Sequence, residues 1–379
     1  MDPLSVGLVG CGNISDRYLG NCAALDAVDI TVCADLDADR AAATAAEFDV
    51  EARGVEELMN SEDVEAVLNL TPPSVHADVL RQALSADKHV YTEKPLATDA
   101  SDAADVLAVA GERDLLVGAA PDTFLGAGLQ TARSVLDDGR IGDPVGATAL
   151  WTSPGHEHWH PDPDLYYDEG GGPGFDMGPY YVTALVALLG PADRVAGSVA
   201  RPHDQREIGS GDRAGESVDV SVPTHESAVV DFGGVPANLC FSFDVQASTF
   251  PGPAFEIYGT EGTLALPDPN HFDGPVRVRS RTDDDWETVP LTHDYTTGRG
   301  AGLVDLAYAV RTDWEQRTSG RLAGHVLDVL LGIRSSSEDG AFAGLETEFD
   351  RPAPLPTSFP DRPDRSDGSD GSDKPDRPE

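Results

Sequence analysis

Three groups of residues in this 379-residue chain have types and spacings that support chemistry. The first is Glu93-Lys94-Pro95, between an apolar run (His89 to Tyr91) and a predicted helix. Lys94 is one of three lysines, with Lys88 and Lys374, so its place at a strand end is not explained by solubility. A lysine partly desolvated in a cleft has a lowered pKa and can hydrogen-bond a hydroxyl. The second group is Asp176 and Tyr180 in the stretch GPGFDMGPYY, residues 172–181. A phenol near a cationic lysine can give or take a proton, and a carboxylate can orient a substrate or the lysine. The alternatives are an N-cap by Asp176 of a helix from Met177 to Leu189, and simple packing of Tyr180 within it. The third is His156-Glu157-His158-Trp159-His160, a literal H-E-x-x-H. That signature binds zinc only on a helix, where positions i and i+4 share a face. Pro154 and Gly155 precede it, Pro161 and Pro163 follow, and no apolar periodicity supports a helix. No metal is expected. Trp151, His156, Trp159 and Tyr166 read instead as a loop closing over a hydroxylated ligand by hydrogen bonding and ring stacking, with a plain surface loop as the alternative.

The elements that must position these groups begin at residue 4. The run LSVGLVG ends in glycine and leads into Gly10-Cys11-Gly12-Asn13-Ile14-Ser15, a G-x-G-x-x-S opening a helix. Gly10 permits a tight turn, Gly12 lets the backbone approach a pyrophosphate, and the helix N-terminus offers free N–H groups to that anion. A second apolar strand, Ile30 to Ala34, ends at Asp35, where a carboxylate accepts hydrogen bonds from adenosine ribose hydroxyls. Capping of the helix from Ala38 to Phe48 is the alternative for Asp35. Leu36 and Asp37 stand where a 2′-phosphate binder usually supplies Arg or Ser, which favours NAD. Arg40, one turn on, keeps NADP open. Further βα units follow: strand Val64 to Leu70, the break Thr71-Pro72-Pro73, a helix capped by Ser74, strand His89 to Tyr91, a helix from Thr98 or Asp99 to about Gly111, and strand Leu115 to Gly118. This alternation predicts a parallel, doubly wound Rossmann sheet over residues 1–122. The glycine turn, Asp35, Thr71 to Pro73 and Glu93 to Pro95 then share its carboxyl-end rim, where such sheets bind ligands.

After residue 122 the rhythm changes. A helix from Ala127 to Asp138 is followed by short β-rich runs from Pro144 to about Pro290, then helices near Leu303 to Trp314 and Leu322 to Ile333. Residues 123–350 are therefore expected to form an α+β domain with a largely antiparallel open sheet. In the remainder, 351–379, acids recur at Asp361, Asp364, Asp367, Asp370, Asp373, Asp376 and Glu379 among Pro, Ser and Gly, which predicts a solvated, disordered tail.

Sixty-seven acids against 26 bases give a formal charge of −41. With regular patterning and 40% hydrophobic residues, this reads as an acidic surface kept hydrated in concentrated salt, hence a halophilic host. It argues against nucleic acid or an anionic membrane as partner. No apolar run approaches the roughly 18 residues of a membrane span and no signal peptide is visible. Cys11, Cys22, Cys33 and Cys240 lack zinc spacing and read as reduced thiols. The expected location is the cytoplasm.

The glycine turn, Thr71-Pro72-Pro73 with His76, Glu93-Lys94-Pro95 and Gly172 to Tyr181 together resemble the glucose–fructose oxidoreductase and inositol dehydrogenase (Gfo/Idh/MocA) family, over roughly residues 4–340. The resemblance implies a nicotinamide cofactor held by Gly10, Gly12, Asn13, Ile14, Asp35, Thr71, Pro72, His76, Glu93 and Lys94. It implies a sugar, polyol or derivative as substrate, with Lys94 beside the nicotinamide. It also implies a homo-oligomer, dimer or tetramer, assembled through the C-terminal sheet. The family's D-x-G-x-H motif maps onto Asp176 and Gly178, with Tyr180 in place of the histidine, as in some members. The expected activity is NAD(P)-dependent hydride transfer to or from a secondary alcohol. An NAD-dependent glycosidase and a non-catalytic dinucleotide sensor are the alternatives that the family contains.

Overall fold

The computed structural model describes residues 1–249, 254–296, 298–347 and 349–358. The first unit comprises β1 (Leu4–Val9), α1 (Ser15–Cys22), β2 (Val28–Ala34), α2 (Ala38–Phe48), β3 (Glu51–Ala52), α3 (Val55–Met59), β4 (Ala66–Asn69), α4 (His76–Ser85), β5 (His89–Thr92), α5 (Ala100–Glu112) and β6 (Val117–Ala119). Its six strands are parallel, in the order β3-β2-β1-β4-β5-β6. A strand with both faces covered by helices reads as a continuous apolar run. In β1, Leu4, Val6, Leu8 and Val9 are all buried. The order reverses between β1 and β4, and the crevice at their carboxyl ends is where such sheets take ligands. The predicted Rossmann unit is present, with one local difference. Ser74 does not cap α4; a 3₁₀ turn over Pro73–Val75 leads straight into it.

The second unit adds α6 (Ala127–Asp137), β7 (Pro144–Thr152), α7 (Asp164–Tyr167), α8 (Pro173–Asp176), α9 (Gly178–Leu189), β8 (Arg194–Ala200), β9 (Gln205–Glu207), β10 (Ser217–Asp219), β11 (His225–Phe232), β12 (Val235–Ser242), β13 (Ala254–Gly259), β14 (Gly262–Ala265), β15 (Val276–Ser280) and β16 (Glu287–Val289), then α10 (Ala301–Arg311), α11 (Gly320–Asp339) and β17 (Ala343–Gly344). Nine strands form one sheet in the order β16-β15-β14-β13-β7-β12-β11-β8-β17. Every pair is antiparallel except β7 with β12. One face packs on helices. Tyr181 of α9 sets its ring 5.7 Å from Phe241 and 5.3 Å from Phe255, and α11 lies along β8. Alternate residues point the other way. There Val229 and Asn238 are exposed, while Thr148, Leu150, Cys240, Glu256 and Tyr258 are half-buried.

Two boundaries differ from expectation. Residues 301–319 return to the first unit. The α10 helix packs beside β2, β5 and β6, Ala119 N–H donates to Thr318 O at 3.0 Å, and Arg311 donates to the carbonyls of Asp2 and Pro3. Residues 351–358, expected in a solvated tail, are docked. Leu355 is buried, its N–H donates to Gln130 Oε1 at 2.8 Å, and Arg317 donates to the carbonyls of Ala353 and Pro354. The acidic repeat itself lies outside the described residues. Among the described residues no helix is long and apolar enough to cross a membrane.

Candidate functional site

The glycine turn is built for close backbone approach. Gly10 has φ +102°, and a Cβ there would lie 2.7 Å from the carbonyl carbon of Leu70. A Cβ on Gly12 would meet nothing within 4 Å, so that side of the turn is open. Asn13 is exposed and Ile14 half-buried beside it. Asp35 closes the cradle. Its Oδ2 accepts from Cys11 N–H and its Oδ1 from Asp37 N–H, each at 2.8 Å. The helix cap is Asp37, which accepts from the N–H groups of Asp39 and Arg40, so the capping alternative for Asp35 falls away. Each Asp35 oxygen keeps a further acceptor position. Arg40 approaches it to 3.6 Å, and the next residue, Leu36, is 99% exposed. An open glycine turn before a helix N-terminus, with a carboxylate one strand away, fits the pyrophosphate and ribose of a dinucleotide.

Of the remaining rim residues, Pro72 is exposed and Thr71 half-buried, with its hydroxyl donating to Asn69 Oδ1 at 2.7 Å. His76 is not in the cleft. It is 1% exposed, with Nδ1 2.7 Å from Pro95 O and Nε2 2.8 Å from Thr71 O. The ring thus ties the loop after β4 to the loop after β5. Burial pushes its pKa below the ordinary value, against the pull of those two carbonyls.

Lys94 and Asp176 meet where the two units face each other. Lys94 Nζ donates to Asp176 O at 2.8 Å and to Asp176 Oδ1 at 3.1 Å. Burial acts against the ammonium, but the Asp176 carboxylate, with Tyr180 and Glu93 behind it, outweighs burial and raises the lysine pKa. Burial likewise opposes the Asp176 carboxylate, and Lys94 and His156 outweigh it and hold its pKa well below the usual range. The expected lowering at Lys94 is therefore reversed, because desolvation came with a counter-ion. Asp176 is not a helix cap either. It ends α8, and Met177 stands at the N-cap of α9. Glu93 organises the turn from behind, accepting from Tyr18 OH at 2.8 Å and from Lys94 N–H at 3.1 Å.

The histidine loop holds Asp176 from its other side. His156 Nε2 lies 2.8 Å from Asp176 Oδ2, and Trp159 Nε1–H donates to His156 Nδ1 at 3.2 Å. An indole N–H is only a donor, so Nδ1 is an acceptor and Nε2–H points at the carboxylate. His156 is 6% exposed, buried by Tyr166 and Phe243 rings at 4.2 and 4.6 Å. It serves Asp176 rather than an open surface. Glu157, read as loop, is also buried. It accepts from Arg206 Nη1 at 2.7 Å and from Tyr167 OH. The segment His156–His158 is a 3₁₀ turn, not an α-helix, and no metal-holding cluster occurs among the described residues. Trp151 and Trp159 remain half-buried beside the loop.

Tyr180, on the first turn of α9, is 4% exposed. Lys94 Nζ stands 5.3 Å from its ring centre. Its hydroxyl accepts from Arg299 Nη2 at 2.9 Å. Motif reading missed Arg299, since no pattern surrounds it; the only available signal was an arginine between two glycines in a chain poor in bases.

A dinucleotide cradle facing a lysine–carboxylate pair and a phenol defines a nicotinamide-dependent oxidoreductase. Residues 4–120 match the oxidoreductase family model with an NAD-binding Rossmann fold, and residues 129–265 match the GFO/IDH/MocA C-terminal domain. The chain is 32% identical over 340 residues to dTDP-3,4-didehydro-2,6-dideoxy-alpha-D-glucose 3-reductase of Streptomyces violaceoruber, covering 86% of this chain and 92% of that protein. It is 26% identical to 1,5-anhydro-D-fructose reductase of Ensifer adhaerens, covering 68% and 74%. An oxidoreductase domain protein from Kribbella flavida superposes with a TM-score of 0.77 at 21% identity, covering 91% of this chain and all of that one. The chain belongs to the GFO/IDH/MocA family of NAD(P)-dependent oxidoreductases.

Proposed function

We propose that the protein interconverts a keto group and a secondary alcohol on a sugar or polyol, with Tyr180 as proton donor and acceptor and Lys94 as a fixed cation. The observation that carries this is the Lys94–Asp176 pair beside the Tyr180 ring. When bound, the nicotinamide supplies or takes up the hydride. Lys94 spends two N–H groups on Asp176, leaving a third for the substrate oxygen. There it polarises the carbonyl and stabilises charge building on oxygen. Its raised pKa keeps it an ammonium, which leaves the proton to Tyr180. The Tyr180 hydroxyl gives its proton to the substrate oxygen in reduction and takes it back in oxidation. Asp176, anchored by His156, aims Lys94. Trp151 and Trp159 flank the approach and supply ring faces for a sugar.

The near-full-length similarity to a keto-sugar reductase supports a cyclic keto-sugar as the reduction substrate, and the orientation of Asp35 supports NAD. The partly exposed face of the nine-stranded sheet supports a homo-oligomer. The acidic composition supports work in concentrated salt in the cytoplasm of a halophile.

The test is a screen of sugars, polyols and keto-sugars at multimolar salt with NAD(H) and NADP(H), reading absorbance of the reduced cofactor, with Lys94→Ala alongside. Loss of turnover in Lys94→Ala with dinucleotide binding retained is expected. Unchanged turnover in that variant overturns the reading.

A further inference from the structure

We infer that Arg299 is a positioning residue for proton transfer: it holds the Tyr180 hydroxyl and stabilises the phenolate left when that proton departs. The inference rests on the reading of Tyr180 just given, but its geometry stands apart from any substrate.

Arg299 is 7% exposed. Its Nη2 donates to Tyr180 OH at 2.9 Å and to Asn270 Oδ1 at 3.2 Å, and its guanidinium carbon lies 5.6 Å from the Tyr180 ring centre. Because the guanidinium is a donor only, the phenol oxygen must accept in this contact. The phenolic O–H therefore points away from the guanidinium.

The loop that carries the arginine is clamped from both units. Asn21 Nδ2, on α1, donates to Arg299 O at 3.0 Å, and a Cβ on Gly298 would fall 2.4 Å from that same amide nitrogen. Tyr295 OH donates to Gly298 O at 2.9 Å, and Gly300 and Gly302 N–H groups donate to Asp122 Oδ2 at 3.0 Å. The arginine is therefore set against the helix that follows the glycine turn.

The charges around the phenol come from four segments. Lys94 from the β5 loop and Arg299 are the cations. Glu93 and Asp122, with the Tyr18 hydroxyl, surround Arg299, while Asp176 is engaged by Lys94. Burial acts against the guanidinium charge, and Tyr180, Glu93, Tyr18 and Asp122 outweigh it and hold its pKa above the ordinary value. A buried guanidinium next to a phenol oxygen favours the charged phenolate over the neutral form. In concentrated salt this matters more, since exposed pairs are screened and buried ones much less so.

In reduction the substrate oxygen would take the Tyr180 proton, the C=O π pair forming the new O–H bond as the carbonyl carbon gained the hydride that a bound nicotinamide would supply. The phenolate keeps the O–H bond pair until solvent or the reverse reaction returns a proton. Lys94 bears on the substrate oxygen, Arg299 on the phenol oxygen.

The test is an ultraviolet difference titration of phenolate absorbance on the full-length protein at fixed multimolar salt, without substrate. Tyr180→Phe identifies the step belonging to Tyr180 among nine tyrosines. In Arg299→Met that step is expected to move up by about one pH unit or more. Arg299→Lys, which keeps the cation but loses the planar fork, should move it less and serves if the methionine variant fails to fold. The same Tyr180 step in both folded variants overturns the inference. Kinetics separate this from the reading of Tyr180. Arg299→Met should lower kcat by about 10–100-fold, shift the pH limb of kcat/KM with the phenolate step, and leave KM and the NADH dissociation constant within about threefold. A phenolate step that moves while kcat does not supports the contact and removes Tyr180 as the proton donor.

Discussion

Lys94 Nζ, at the end of the fifth Rossmann strand, lies 3.1 Å from Asp176 Oδ1, at the end of a one-turn helix in the other unit. Lys94 takes one Asp176 oxygen and His156 the other, so the ion pair forms only where the two units meet.

Replacing Asp176 by Asn keeps the shape and removes the counter-ion. The raised lysine pKa means that the pair's stability is fully present below about 10.5 and fades as pH climbs past the folded-state value. The depressed aspartate pKa means that the pair's stability is fully present above about 3.8 and fades as pH falls. Between these limits the wild-type pair should not titrate. In Asp176→Asn, burial acts on Lys94 without its main opponent, so its pKa drops. The alkaline loss of kcat/KM should then appear at lower pH than in wild type, measured between pH 6 and about 10. Breaking this part-buried pair from one side should also lower stability in denaturant unfolding, by less than the roughly 3–5 kcal/mol of a fully buried pair.

Tyr180→Phe removes the hydroxyl, and with it both the proton and the acceptor of Arg299 Nη2, while the ring stays in place on α9. A kcat loss of about 10²–10⁴-fold is expected, with NADH affinity unchanged by fluorescence titration. A loss below tenfold would move the proton to another group.

Asp35→Ser tests cofactor choice at the glycine cradle. The carboxylate now braces Cys11 N–H and stands 3.6 Å from Arg40, and its charge opposes a 2′-phosphate. The variant should bind NADH roughly 10–100-fold more weakly, the worth of one or two charge-assisted hydrogen bonds. Arg40, released from Asp35, should favour NADPH. Isothermal titration with both cofactors reads the ratio directly.

Much of this was legible in the sequence where local chemistry and element order agree. The glycine turn, Asp35 and Lys94 each follow a parallel strand, and the rule that ligands sit at strand carboxyl ends places them on one rim before any coordinates. What was not legible depends on pairs far apart in the chain. The sign of the Lys94 pKa shift turns on whether a counter-ion accompanies burial, and Asp176 is a contact of the second unit. His156 reads from the sequence as part of a loop closing over a hydroxylated ligand, because a histidine among tryptophans can bind a sugar. Its burial comes from Phe243 and Tyr166, which local spacing does not bring near. Arg299 reaches Tyr180 by a similar long-range closure.

The chain from Arg351 to Leu355 shows the same limit on the stability side. Its proline-rich composition reads as solvated, yet Leu355 is 4% exposed in the main core, with its N–H on Gln130 and its carbonyl 3.0 Å from His293 Nε2. A buried leucine lost to alanine removes its transfer free energy and leaves a cavity, about 2–5 kcal/mol. Leu355→Ala should therefore lower the denaturant midpoint at constant salt by an amount in that range. Because Leu355 touches neither the cradle nor the Lys94–Asp176 pair, kcat per folded molecule should stay at the wild-type value. An unchanged midpoint would mean that this segment is not docked in solution.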